Sequence, residues 1–260
     1  SARTLCYSSG CMYYIGMNIK GSTVIVTGAG VRFGRSLVLR LAAKGANIAV
    51  HYHSHASEAH QTASQAAEYG ITAIPIGGDL TDSSQVHRLF DAAVHEFGTV
   101  DAVINSASIF FPLSIEDTDV SQWQSMDALT VQAPFFLSRA LYLHKAAING
   151  HGVIVNITDS SIRHPSRNRI AYSCAKAALE SQTKLLAATL APHLRVNAVA
   201  PGFFKASSEE DEQYGRRLCT RLPLKTLASE HDMLDAVLFF LQNESVTGVV
   251  LPVDCGEHLL

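Results

Sequence analysis

The chain has 260 residues, 47% of them hydrophobic, with a formal net charge of −3, enough to bury one large core. That balance leaves no basic footprint for nucleic acid or an anionic membrane surface, and no apolar run is long enough to span a bilayer. The five cysteines, Cys6, Cys11, Cys174, Cys219 and Cys255, are odd in number and lack CxxC spacing. A disulfide framework or zinc knuckle is therefore not expected, and a reducing, cytoplasmic setting is.

Ser1–Gly16 share no pattern with the rest of the chain and hold no continuous apolar h-region. They are set aside as a leader, disordered or derived from upstream sequence, with Met17 as a candidate natural start. Residues 17–260 read as one domain. The first strand, Thr23–Thr27, runs into Gly28-Ala29-Gly30-Val31-Arg32-Phe33-Gly34 and then a helix over Arg35–Lys44. Strand, glycine-rich turn and helix together deliver bare N–H groups and a helix N-terminus to a phosphate. Further strands are predicted at Asn47–Tyr52, Thr72–Ile76, Val100–Asn105, Val153–Ile157, Arg195–Ala200 and Val249–Val253. Helices are predicted between them at Ser57–Tyr69, Ser83–Phe97, Ser121–Asn149, Ala171–Leu190 and Ser229–Gln242. Short Val/Ile/Ala-rich runs suit strands buried on both faces. Strict alternation predicts an α/β fold, a single doubly wound, Rossmann-type parallel sheet of about seven strands with helices on both faces. The polar stretch Phe203–Leu222 breaks the rhythm; it reads as a solvated helical insert or a flap over the crevice.

Tyr172 and Lys176 stand four residues apart, on one face of a helix. A nearby ammonium favours the phenolate, so the pair is suited to exchanging a proton with a substrate. Asp159 comes just after the strand Val153–Ile157, at the carboxyl edge bordered by the same helix, where it can approach the phenol or cap a turn. His51, His53, His55 and His60 also suggest a metal site, but no cysteine or carboxylate pairs with them, so no metal is expected.

Thr27-Gly28…Gly34, Asn105-Ser106-Ala107-Ser108, Tyr172…Lys176, Pro201-Gly202 and Val246-Thr247-Gly248…Val253-Asp254-Cys255-Gly256 occur in an order that resembles the short-chain dehydrogenase/reductase family, from Gly21 to Leu260. Three departures from its usual pattern resemble the pteridine reductases. Asp159, in Asn156-Ile157-Thr158-Asp159, stands where a serine is usual; Arg32 precedes Phe33-Gly34; and Ser108-Ile109-Phe110 matches the segment whose aromatic stacks a pterin. Pro223-Leu224-Lys225-Thr226 and the chain end look more like the bacterial dihydromonapterin reductases. The resemblance implies catalytic roles for Asp159, Tyr172 and Lys176. It implies cofactor contacts from Gly28, Arg32, Phe33, Gly34, Asp79, Leu80, Asn105, Ala107, Tyr172, Lys176, Pro201 and Gly202, and substrate contacts from Arg32, Ser108, Phe110, Asp159 and Tyr172.

The second strand ends in His51-Tyr52-His53-Ser54, with no carboxylate before Glu58 to bind ribose hydroxyls. With Arg32, these four residues suit a 2′-phosphate, so NADPH is the expected cofactor. Pro134 lacks an N–H for the carbonyl of Thr130, which is expected to be left free for a water. The expected activity is NADPH-dependent reduction of a dihydropterin, such as dihydromonapterin or dihydrobiopterin, with dihydrofolate a further candidate, to the tetrahydro form. A generic carbonyl reductase of a 3-oxoacyl thioester or sugar, and a non-catalytic dinucleotide-binding sensor, are the competing readings. The family resemblance further implies a homotetramer through the long helices and a small-molecule substrate, while charge and hydropathy give no reason to expect a nucleic acid or membrane partner.

Overall fold

Seven strands, β3 (Thr23–Val26), β4 (Asn47–Tyr52), β5 (Ala73–Gly77), β6 (Ala102–Asn105), β7 (Gly152–Ile157), β8 (Leu194–Pro201) and β9 (Val250–Val253), form one parallel sheet in the order β5-β4-β3-β6-β7-β8-β9. This computed structural model describes residues 5–6, 12–13, 17–110, 113–165, 167–204 and 209–260. The leader set apart by the sequence lies largely outside the described residues; within it, β1 (Leu5–Cys6) pairs antiparallel with β2 (Met12–Tyr13).

Period-two alternation divides the strands between two cores. Val24, Val26, Ile48, Val50, Ile104 and Val155 enter one, beneath α1 (Arg32–Ala42), α2 (Ala56–Ala67) and α8 (Glu230–Gln242). Ile25, Ala49, Val103 and Ile154 enter the other, beneath α3 (Ser83–Phe97), α5 (Ala133–Ala147) and α6 (Ile170–Leu190). Both faces of the sheet are therefore dry, and Val24, Ile25, Val26, Ile48, Ile104 and Ile154 have no exposed surface. The chain reverses its winding between β3 and β6, which opens a crevice at the carboxyl edge of the sheet. Among the described residues, no helix is long and apolar enough to cross a membrane.

The single helix expected over Ser121–Asn149 is interrupted. It starts as α4 (Val120–Asp127), whose Asp119 and Gln122 form a reciprocal capping box, then widens into a π turn at Ala128–Gln132 before α5. Pro134 is the cause the sequence offers: it has no N–H for the carbonyl four residues back, and one residue of slack restores the hydrogen-bond ladder. The first helix begins three residues ahead of its predicted start, at Arg32 inside the glycine turn. In the stretch Phe203–Leu222, α7 (Glu209–Arg221) confirms the helical insert, while residues 205–208 lie outside the described residues.

Candidate active site

Thr27 follows β3 and its hydroxyl oxygen accepts the N–H groups of Ser106 and Ala107, both at 2.9 Å. This joins the glycine turn to the loop after β6. Gly28 has φ +63°, and a Cβ there would lie 2.8 Å from Ala107 Cα. A Cβ on Gly34 would collide with the carbonyl oxygen of Gly28, so the turn closes only over bare backbone. Its next step is α1, whose N-cap Val31 supplies no side-chain acceptor and whose first turn carries no acid. The free amides and the positive helix end therefore suit a phosphate. Arg32, at φ +50°, is exposed beside this turn, and Phe33 is buried against the sheet core.

His51 has a different task from the 2′-phosphate contact expected of it. Its ring is 2% exposed. Nδ1 accepts the Gly28 N–H at 3.2 Å and Nε2 donates to the Gly78 carbonyl at 3.0 Å, so it straps the glycine turn to the end of β5. Burial lowers its pKa to about 4, and only the neutral ring can make both bonds. His53 and Ser54 are exposed at the end of β4, with Ser54 Oγ 3.1 Å from His55 Nδ1, while Tyr52 lies half-buried with its ring 3.0 Å from where a Gly77 Cβ would sit. Asp79 accepts the Thr81 N–H and hydroxyl at 2.9 and 2.8 Å, which shapes the turn that buries Leu80.

Asp159 serves two partners. As the N-cap of the 3-10 turn Ser160–Arg163 it accepts the Ser161 N–H at 2.7 Å through Oδ1. Its Oδ2 accepts the Tyr172 hydroxyl, also at 2.7 Å. Tyr172 lies in the first turn of α6, and one turn later Lys176 donates from Nζ to the Ile157 carbonyl at 2.7 Å, 3% exposed. Burial lowers the Lys176 pKa to about 8, with the Asp159 carboxylate opposing. The sequence leads one to expect a phenolate favoured by this cation, yet the phenol is pushed well above 10, first by burial and then by Asp159, with Arg169 opposing. The reason is geometric: the ammonium lies 5.8 Å from the ring centroid and is committed to a carbonyl, whereas the carboxylate touches the hydroxyl.

Phe110, 48% exposed, stands edge-on to the Tyr172 ring with centroids 5.3 Å apart. Ser108 is exposed, its hydroxyl 3.4 Å from the Ile109 carbonyl. Asn105 is turned inward: its amide donates to Asn156 Oδ1 at 2.7 Å, and Asn156 donates to the Thr183 hydroxyl at 2.9 Å. That buried chain ties β6, β7 and α6 together beneath the crevice. Gly202, after Pro201, is pinned by its N–H to the Val253 carbonyl at 3.0 Å, and a Cβ there would lie 2.7 Å from Asp254 Cα. At Ala128–Gln132 the π turn buries Thr130.

Three residues were not singled out from sequence. Arg169, immediately before α6, holds its guanidinium carbon 5.1 Å from the Phe110 centroid. Tyr214, on α7, packs edge-on against Phe203 at 5.3 Å. Glu257 is 3% exposed, accepts the Phe203 N–H at 3.3 Å, and has its pKa raised by burial and by Asp159 and Asp254. The one local signal was an aromatic, Tyr214, inside an otherwise polar helix. Glu257 reaches the site only through tertiary folding, as does the contact of Arg169 with Phe110.

The family model described as "Enoyl-(Acyl carrier protein) reductase" matches residues 28–258. The chain is 31% identical over 255 residues to a "Short-chain type dehydrogenase/reductase" of Picea abies, covering 91% of this chain and 92% of the relative. It is 28% identical to "Glucose 1-dehydrogenase 2" of Bacillus subtilis, covering 93% and 96% respectively. A solved structure of FolM alternative dihydrofolate reductase 1 from Brucella canis, complexed with NADP, aligns with TM-score 0.85 at 28% identity over 94% of this chain and 96% of that one.

Proposed function

The chain belongs to the short-chain dehydrogenase/reductase family, and from that premise we propose that it is an NADPH-dependent reductase converting dihydropterins to tetrahydropterins. NADP(H) is its cofactor, in keeping with solved relatives that hold NADP. In this reading Gly28, Gly34 and the open start of α1 take the pyrophosphate, and Arg32, His53 and Ser54 take the 2′-phosphate, with Tyr52 beside them. Asp79, Leu80, Ala107, Pro201 and Gly202 line the remaining cofactor path above the inward-turned Asn105, and Lys176 holds the nicotinamide ribose. When bound, the reduced nicotinamide supplies hydride.

The observation that carries the substrate assignment is the 2.7 Å bond from the Tyr172 hydroxyl to Asp159. A carboxylate accepts hydrogen bonds only, and a pterin edge presents amino and ring N–H donors, so Asp159 orients that edge better than a hydroxyl would. The half-exposed Phe110 offers a face for the pterin ring, with Ser108 and Arg32 proposed as further substrate contacts. Tyr172 keeps its proton at neutral pH and so can relay one while Asp159 holds its oxygen in place. A FolM neighbour described as an alternative dihydrofolate reductase supports the same reading. The homotetramer expected from the family would form through the long helices, where Trp123, Leu143 and Leu185 are exposed on α4, α5 and α6.

The test is NADPH oxidation with a 7,8-dihydropterin against NADPH oxidation with an acetoacetyl thioester or a keto sugar. Turnover of the pterin at the higher kcat/KM is expected. Ketone reduction without pterin turnover overturns the substrate assignment and leaves a carbonyl reductase.

A further inference from the structure

We propose that Arg169 is a specificity-determining residue that selects dihydropterins carrying an anionic side chain. The inference rests on the pterin reading and deepens it. Arg169 stands three residues before Tyr172, and its backbone is fixed by a parallel bridge to Leu113 and by accepting the Ser173 N–H at 2.8 Å. The guanidinium lies over the Phe110 ring at 5.1 Å. Among the described residues it has no carboxylate within ion-pair distance and no hydrogen-bond acceptor.

That is an unusual state for a half-buried arginine. The aromatic face orients the planar fork, while its donors are left without an anion. Its charge acts on both Tyr172 and Tyr214, so it lies within electrostatic reach of the phenol and of α7. Asp159, bonded to the Tyr172 hydroxyl, and the buried Glu257 are the acidic groups of the site. The guanidinium lies over the same aromatic that would stack the ring, which puts it in reach of a side chain carried by a ring whose donor edge is on Asp159. A carboxylate or phosphate there completes a charge-assisted, two-point contact; a neutral polyol gains only an ordinary hydrogen bond.

The experiment compares wild type and Arg169→Gln with three substrates: dihydrofolate, dihydroneopterin monophosphate and neutral dihydrobiopterin. NADPH affinity serves as the folding control. The variant is expected to raise KM about tenfold or more for the anionic substrate that wild type prefers, with dihydrobiopterin changed by less than about threefold. Which anionic substrate responds tells carboxylate from phosphate recognition, and Arg169→Lys is expected to recover part of the loss. Equal effects on charged and neutral substrates, or no effect on either, overturn the proposal while the pterin reading stands. A wild type inactive on all three overturns both, and that result is read before any variant is made.

Discussion

His51 gives a stability test with a defined sign. Its pKa is lowered from 6.5 to about 4, principally by burial, with the Gly78 carbonyl opposing. That gap corresponds to about 3 kcal/mol. Above pH 6.5 the ring is neutral in both folded and unfolded chains and the linkage contributes nothing. As pH falls through 6.5 the unfolded chain takes up a proton that the native ring cannot accept until about pH 4, so stability is lost across that window. At 2% exposure there is little solvent to screen the effect. Urea unfolding at pH 7.5 and 4.5 is expected to show wild type losing about 2.5 kcal/mol more than His51→Asn. Acidification should also weaken NADPH binding, because a protonated Nδ1 cannot accept the Gly28 N–H. Parallel pH profiles for the two proteins refute the strap.

Lys176 is fully enclosed, and lowering its pKa from 10.5 to about 8 costs about 3 kcal/mol at neutral pH. Lys176→Met relieves that cost but loses the bond to Ile157, so thermal unfolding should shift by no more than about 1 kcal/mol, while kcat/KM falls about 100-fold or more. A large stability loss would contradict this. Asn156→Ala strands the buried amide of Asn105 and should cost about 2–4 kcal/mol in urea unfolding; a cost below about 1 kcal/mol would show that the chain of amides is dispensable. Gly34→Ala drives a methyl into the Gly28 carbonyl, and NADPH fluorescence titration should show affinity reduced about tenfold or more. Unchanged affinity would mean that the turn does not hold the cofactor.

How much the sequence revealed depended on how local each signal was. The seven strands were legible because each carries its own Val/Ile run, and the glycine turn because strand, glycines and helix are contiguous. Tyr172 and Lys176 share a helix face four residues apart, so their pairing needs no tertiary knowledge. Asp159 was placed by its strand end alone. His51 was read as a ligand-facing histidine because its two backbone partners, Gly28 and Gly78, come from separate turns that only the sheet brings together. The direction of the Tyr172 shift was missed for a related reason: helical spacing places Lys176 near the ring, but burial and the carbonyl of Ile157 decide what its charge does. Pro134 flagged a disturbance in the long helix without saying that it would take the form of a π turn. Glu257 left no local trace at all, whereas Arg169 lies only three residues before Tyr172 and its stacking on Phe110 is what tertiary folding adds.

The most direct measurement is the substrate preference of Asp159→Ser, which replaces the carboxylate with the hydroxyl usual in the family. With NADPH saturating, kcat/KM for a dihydropterin should fall on the order of 100-fold, while reduction of an acetoacetyl thioester holds steady or rises. Pterin turnover within about threefold of wild type would contradict the account, because the acid facing Tyr172 would then play no part in choosing the ring.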